Sequence, residues 1–223
     1  MGVLPDERKL EHAIVRHCAP TLAALKPASL FNVPGNYSRE TGPDDGRRGL
    51  EEAVEGCARQ MRGSGVAVRV LAWRGCGALV YVYRPRELAA HLRDPRAASL
   101  LADRGYDPAS LEDCLDALAT RLERDAGRGT AGPRTRPCPC EESGCARDFP
   151  HEMGLFLGYP YADVAGFIEH RGRDYLALGP WKVYADVDRA LATFARFRRC
   201  AEAYLRAHRQ GADLARLAVP SIG

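Results

Sequence analysis

Val66-Ala67-Val68-Arg69-Val70-Leu71-Ala72-Trp73-Arg74-Gly75-Cys76-Gly77-Ala78-Leu79-Val80-Tyr81-Val82-Tyr83 is the stretch on which the fold of this chain turns. Two runs of β-branched and aromatic residues flank a short glycine-bearing turn, which predicts a β-hairpin. Upstream, Leu50, Ala53, Val54, Cys57, Ala58 and Met61 recur at spacings of three and four and predict an amphipathic helix, which Gly63-Ser64-Gly65 ends. Downstream, two short helices are expected near 85–93 and 95–103. A longer one opens at Asp107-Pro108 and carries Leu111, Cys114, Leu115, Leu118 and Leu122 on its buried stripe.

Further out, residues 6–18 read as a helix capped by Asp6 and interrupted by Pro20, followed by a helical turn and an extended piece up to Asn32. Residues 34–49 hold turn-forming Gly, Pro, Asp and Asn and read as a loop. Residues 126–148 carry no periodic apolar residue and read as a flexible, cysteine-bearing insert within a single domain spanning 1–223. Short helices are expected over 150–157 and 161–170, and a strand or strand pair over 175–184 broken by Gly179-Pro180. A closing helix is capped by Asp186, and the tail after Gly211 reads as loose. The sum is an α+β domain, a small and mainly antiparallel sheet covered by several α-helices.

A chain of 223 residues with 46% apolar and 27% charged residues has enough material for a sizeable core and the composition of a globular protein. No run approaches the ~18 apolar residues of a membrane span. The first residues show no basic segment followed by an apolar one, so the chain reads as cytoplasmic, with no membrane partner. A net charge of +3 is too slight to argue for nucleic acid. Of the 32 basic residues only Lys9, Lys26 and Lys182 are lysines, and Ala, Gly and Pro abound, as in a chain coded by a GC-rich genome. In such a background arginine is expected wherever either cation serves. A lysine in an apolar, glycine- or proline-bearing segment, such as Lys26 or Lys182, therefore reads either as a place that requires the more easily deprotonated amine or as chance retention.

Three further segments belong together. They are Cys18-Ala19-Pro20-Thr21-Leu22-Ala23-Ala24-Leu25-Lys26-Pro27-Ala28-Ser29-Leu30-Phe31, then Phe149-Pro150-His151-Glu152-Met153-Gly154-Leu155-Phe156-Leu157-Gly158-Tyr159-Pro160-Tyr161-Ala162-Asp163-Val164, then Gly179-Pro180-Trp181-Lys182-Val183-Tyr184. Together they resemble the bacterial family catalogued as domain of unknown function 3793. The hairpin and the closing helix sit where that family has them, so the likeness covers most of the chain. It brings no substrate or mechanism with it. The cysteine-bearing segment 138–145 departs from the family pattern, so a metal role there does not extend to the family.

The motifs supply one candidate constellation. Cys18, His151 and Glu152 are the candidate catalytic groups; Lys26, Ser29, Asn32, Trp181, Lys182 and Tyr184 are the candidate ligand-binding groups. A thiol near a cation or an imidazole becomes a nucleophile, and a lysine in an apolar niche can act as base, imine former or anion clamp. On this reading the protein binds a small anionic ligand or cofactor, with Lys26 and Lys182 holding negative charge. The same residues also admit a structural reading, with Glu152 as a helix-start carboxylate, His151 bonded to a backbone carbonyl and Cys18 a core thiol beside His17. Cys138, Cys140 and Cys145 with His151 form a second set, three thiolates and an imidazole suited to zinc. An iron–sulfur cluster would need a fourth thiolate, from Cys18 or Cys76. The alternative to an enzyme or ligand binder is an interaction or regulatory module, with 149–161 docking a protein partner and the cysteine loop responding to metal. Cys57 and Cys114 lie on apolar helical stripes and read as core residues.

Overall fold

The computed structural model of the chain describes residues 7–35, 37, 45–74, 77–127 and 150–220. The expected hairpin is β2 (Ala67–Arg74) and β3 (Gly77–Tyr83), paired antiparallel with Val68 opposite Val82 and a bulge between Val70 and Ala72. A hairpin alone is marginal in water and needs a third strand or a covering layer. β1 (Ala28–Val33) supplies the strand. It pairs antiparallel with the other edge of β3, Ala28 opposite Tyr83 and Val33 opposite Ala78, and gives the order β1-β3-β2.

Helices cover both faces of this sheet, which is why the central strand β3 is buried along its whole length. Successive side chains point to opposite faces. Ala78, Val80 and Val82, with Phe31 and Val33 of β1, meet Ile14 and Leu22 of α1 (Glu7–Leu22) and Leu50 and Cys57 of α2 (Asp45–Gln60). Leu79, Tyr81 and Tyr83 face the other way. They meet Leu88 and Leu92 of α3 (Pro85–Leu92), Leu101 of α4 (Pro95–Asp103), Leu115 and Leu118 of α5 (Leu111–Gly127) and Phe156 of α6 (Met153–Phe156). The buried Tyr81 hydroxyl donates to the Phe156 carbonyl at 2.5 Å, so its polar end is satisfied. α7 (Tyr161–Glu169), the two-residue strands β4 (Ala177–Leu178) and β5 (Lys182–Val183), α8 (Val187–Arg209) and α9 (Leu214–Leu217) complete the chain. Asp186 caps α8 through the Arg189 amide, as expected. The architecture is α+β, with its small sheet antiparallel throughout.

The structure corrects four details. Residues 45–49, expected as part of a loop, form the first turn of α2. α1 does not stop before Pro20 but carries it in its last turn, where the missing N–H removes one hydrogen bond and the helix runs on to Leu22. α5 begins at Leu111, not at Asp107-Pro108. Asp107 instead forms a turn by accepting from the Ala109 amide at 3.0 Å, and the Ser110 hydroxyl accepts from the Asp113 amide at the helix start. Residues 213–218 of the tail expected to be loose are not: Asp213 caps α9, and Leu214, Leu217 and Ala218 are buried in the core. The N-cap expected at Asp6, the loop over 38–44, Cys76 and residues 128–149 with Cys138, Cys140 and Cys145 lie outside the described residues.

Candidate functional site

The end of α1 sets the site. The Leu25 amide donates to the Pro20 carbonyl at 2.8 Å and the Ala24 amide to the Thr21 carbonyl at 3.2 Å, the paired bonds of a Schellman termination. Ala24 takes the left-handed position of that motif, φ 55°, which glycine ordinarily fills. The turn brings Lys26 and Pro27 back against the sheet just before β1. Fully buried Arg84, which follows β3, fastens this region. Its guanidinium donates to the carbonyls of Thr21 at 2.6 Å, Leu22 at 2.6 Å and Val219 at 2.7 Å, and its amide donates to the Pro27 carbonyl.

A cavity of about 230 Å³ opens here, lined by Ala24, Leu25, Lys26, Pro27, Arg84, Glu87 and His91. Glu87 and His91 stand one turn apart on α3, so they share a helix face beside the core residues Leu88 and Leu92. Glu87 Oε2 and His91 Nε2 are both buried without a hydrogen-bond partner. Burial holds His91 below the usual imidazole value, against a hydrogen bond with the Tyr159 backbone that acts the other way. Neutral and donating to that backbone, the ring presents its other nitrogen as an acceptor. Lys26 Nζ lies 5.3 Å from the centre of the Tyr159 ring and 5.9 Å from that of Phe197. Burial brings its ammonium down to about 8, against the opposite pull of Cys18.

Behind Lys26 sit Cys18 and Ser29. Burial pushes the Cys18 thiol well up, outweighing the opposite pull of Lys26 and of a hydrogen bond from Ser29. The Ser29 and Thr21 hydroxyls hydrogen-bond each other at 2.8 Å. Trp181 joins this group from the far side. It stacks on Tyr159 at 4.8 Å and meets Phe194 edge-on at 4.5 Å, and its indole donates to Asp163 Oδ2 at 2.7 Å. Asp163 Oδ1 accepts from the amides of Tyr184 at 2.8 Å and Ala185 at 3.0 Å. One buried carboxylate thus ties α7 to Trp181, just before β5, and to the backbone just after it. Gly158, φ 73°, lies so close to Pro27 that a Cβ there would enter the proline ring.

The other sequence candidates do not reach this cavity. Glu152 is fully buried but accepts from Arg104 at 3.3 Å, Tyr106 at 2.9 Å and Arg121 at 3.1 Å, all in or between α4 and α5. It stands at the N-cap position of α6, the helix start that the structural reading of the sequence expects, but its side chain makes no capping hydrogen bond there. His151 and Lys182 both stand against Phe167, at 5.2 and 5.8 Å, and the Lys182 ammonium donates to the Gly172 carbonyl at 2.7 Å. Tyr184 stacks on His170, its hydroxyl buried without a partner. Asn32 is exposed at the far end of β1, where it accepts from Arg74 at 2.8 Å. Among the described residues no three His, Cys, Asp or Glu side chains group as a metal site. The four cysteines among the described residues, Cys18, Cys57, Cys114 and Cys200, are free, and Cys57 and Cys114 are buried in the core. The single constellation expected from sequence is therefore divided among separate places. Glu87 and His91, which sequence reasoning passes over, are the groups that share the hollow with Lys26. Their spacing of four within a predicted helix is the signal that marks them.

The chain belongs to the family described as protein of unknown function (DUF3793), which it matches over residues 14–218. No curated protein and no solved structure matches it. Among the described residues no helix is long and apolar enough to cross a membrane.

Proposed function

We propose that this protein binds a small polar ligand in the cavity between the end of α1 and α3, in the cytoplasm, with Lys26, Glu87 and His91 as its contacts. The observation that carries the reading is that Glu87 Oε2 and His91 Nε2 are buried without hydrogen-bond partners in residues that line one hollow together with Lys26. Buried polar atoms are nearly always hydrogen-bonded, so such a pair is a set of contacts awaiting a ligand. Lys26 takes an anionic or carbonyl oxygen. Glu87 and His91, both acceptors, take hydroxyl or amino hydrogens. The cavity is smaller than the ~300 Å³ at which drug-sized sites begin, which suits a metabolite of few heavy atoms.

The test is a thermal-shift screen of the full chain against small hydroxy acids, amino acids, polyols and simple carboxylates. Stabilising compounds are expected to lose their effect in Lys26→Met and Glu87→Gln. A panel without hits, or hits that survive in the Lys26→Met/Glu87→Gln double variant, overturns the proposal.

The second reading, an interaction module, draws on a different surface. Tyr175, Leu176, Leu178 and Leu191 expose large apolar side chains around the β4–β5 hairpin and the start of α8. Within the expected docking segment, by contrast, Met153, Leu155 and Phe156 face the core.

A further inference from the structure

We infer that this chain docks on the surface of an anionic lipid bilayer, with the β4–β5 hairpin and the start of α8 entering the interface and the arginines of α8 meeting the headgroups. The inference does not rest on the ligand cavity. It rests on the second reading above and names the partner of that apolar surface. Such a contact needs no spanning helix.

The apolar part is built by the hairpin. Ala177 of β4 stands opposite Val183 of β5, and Leu178 opposite Lys182. Val183 is buried, so the alternation along the strand turns Leu176 and Leu178 outward together. They are 64% and 63% exposed and stand proud of the surface. The hairpin tip is seated on α8, since a Cβ on Gly179 would strike the Phe194 ring. Leu191, 49% exposed, lies three residues before Phe194 on the same side of the helix, so the apolar surface continues from the hairpin onto α8.

The charge lies further along the same helix. α8 carries Arg189, Arg196, Arg198, Arg199, Arg206 and Arg209 against Asp188 and Glu202, a surplus of four positive charges where the whole chain has a surplus of three. All six arginines are exposed, and among the described residues none of them forms an ion pair. Arg198 follows Phe194 by four residues, so the cationic stretch begins one turn beyond the seat of the hairpin. Around the tip itself Asp174 and Asp188 are each next in sequence to an arginine, Arg173 and Arg189, which leaves that end near neutral.

This combination selects the partner. Nucleic acid would engage the arginines and gain nothing from bare leucines. A peptide or helix seats its apolar side chains in a groove, whereas Leu176 and Leu178 protrude. A second copy docked through this face would bring the arginine-rich helix against itself. A bilayer with anionic headgroups takes up protruding apolar side chains and attracts arginines, each to the extent of about fivefold in binding.

The experiment is co-sedimentation of the full chain with vesicles of phosphatidylcholine alone or with ~30% phosphatidylserine, in ~0.1 M salt. The chain is expected to bind the anionic vesicles at least ~10-fold more tightly than the neutral ones. Arg198→Gln/Arg199→Gln should weaken that binding about 25-fold. Leu176→Ser/Leu178→Ser should weaken it at least ~10-fold, with the melting temperature unchanged because both side chains are exposed. Anionic binding that survives in the leucine variant is adsorption by charge alone and overturns the inference. So does equal binding to both vesicles. Light scattering and heparin retention separate the rivals when no vesicle binds. A dimer that the leucine variant disperses, or heparin retention that the arginine variant loses, overturns the bilayer and keeps an interaction module. A monomer that ignores vesicles and heparin overturns the bilayer and that second reading together.

Discussion

Lys26 Nζ stands 5.3 Å from the centre of the Tyr159 ring, so the turn that ends α1 and the turn that follows α6 meet across one cation–π contact. Pro27 and Gly158 meet beside it, closer than any Cβ would allow. Two motifs remote in the chain thus form one wall, and Glu87 and His91 of α3 line the same cavity as Lys26.

Burial of the Lys26 ammonium carries a cost with a definite pH dependence. Lys26 has its folded value near 8, below its ordinary 10.5. Between these values the unfolded chain binds the proton that the folded chain lacks, so this group makes stability rise with pH across that window. Below about pH 8 both states are protonated and the full cost is present. Lys26→Met is therefore expected to melt above the wild type at pH 7, by a few degrees if the net gain is ~1 kcal/mol in a domain of this size. The gap should narrow as the pH rises toward 10.5. Differential scanning fluorimetry from pH 6.5 to 10.5 checks it; a variant that melts below the wild type at pH 7, or a gap that ignores pH, contradicts the assignment.

Ala24 holds the left-handed position of the Schellman turn at φ 55° and is exposed, so its methyl group gains little from packing. The left-handed conformation costs an L-residue about 1–2 kcal/mol, and glycine gives back some of that as extra freedom in the unfolded chain. Ala24→Gly should stabilise the protein by about 0.5–1 kcal/mol in urea denaturation. A loss of stability would show that the turn is not as described.

Glu152 holds Arg104, Tyr106 and Arg121 at once from a fully buried position. Both arginines are a third or more exposed, so the cost of removing the carboxylate is that of leaving its buried hydrogen-bond partner unsatisfied, about 1–3 kcal/mol. Glu152→Ala should lose stability on that scale, whereas Glu152→Gln, which still accepts the Tyr106 hydrogen bond, should lose less. Equilibrium unfolding of both variants measures the difference, and equal losses would argue against the charge as the binding element.

How far the sequence can be read depends on how local the cause is. The hairpin, α2 and α8 are legible because side-chain period and turn residues lie within each segment. Pro20 misleads because a proline in the last helical turn removes only one hydrogen bond while the Schellman turn immediately beyond it closes the helix. The tail misleads because Leu214 and Leu217 find their places only once α1 and the sheet exist. At the site, Lys26 is legible as a rare lysine in an apolar segment. Glu152 is not, since its partners Arg104, Tyr106 and Arg121 come from elements with no motif of their own. Glu87 and His91 are visible as a helical pair, but their lack of partners is a property of packing.

The most direct measurement is a lysine-selective ¹³C NMR titration of the intact protein, because with three lysines each side chain gives its own resonance. One resonance, absent in Lys26→Met, is expected to titrate near pH 8 and to shift when a stabilising ligand is added. If all three lysines titrate in the ordinary range near 10.5 and none responds to ligand, the Lys26 cavity is not the site described here.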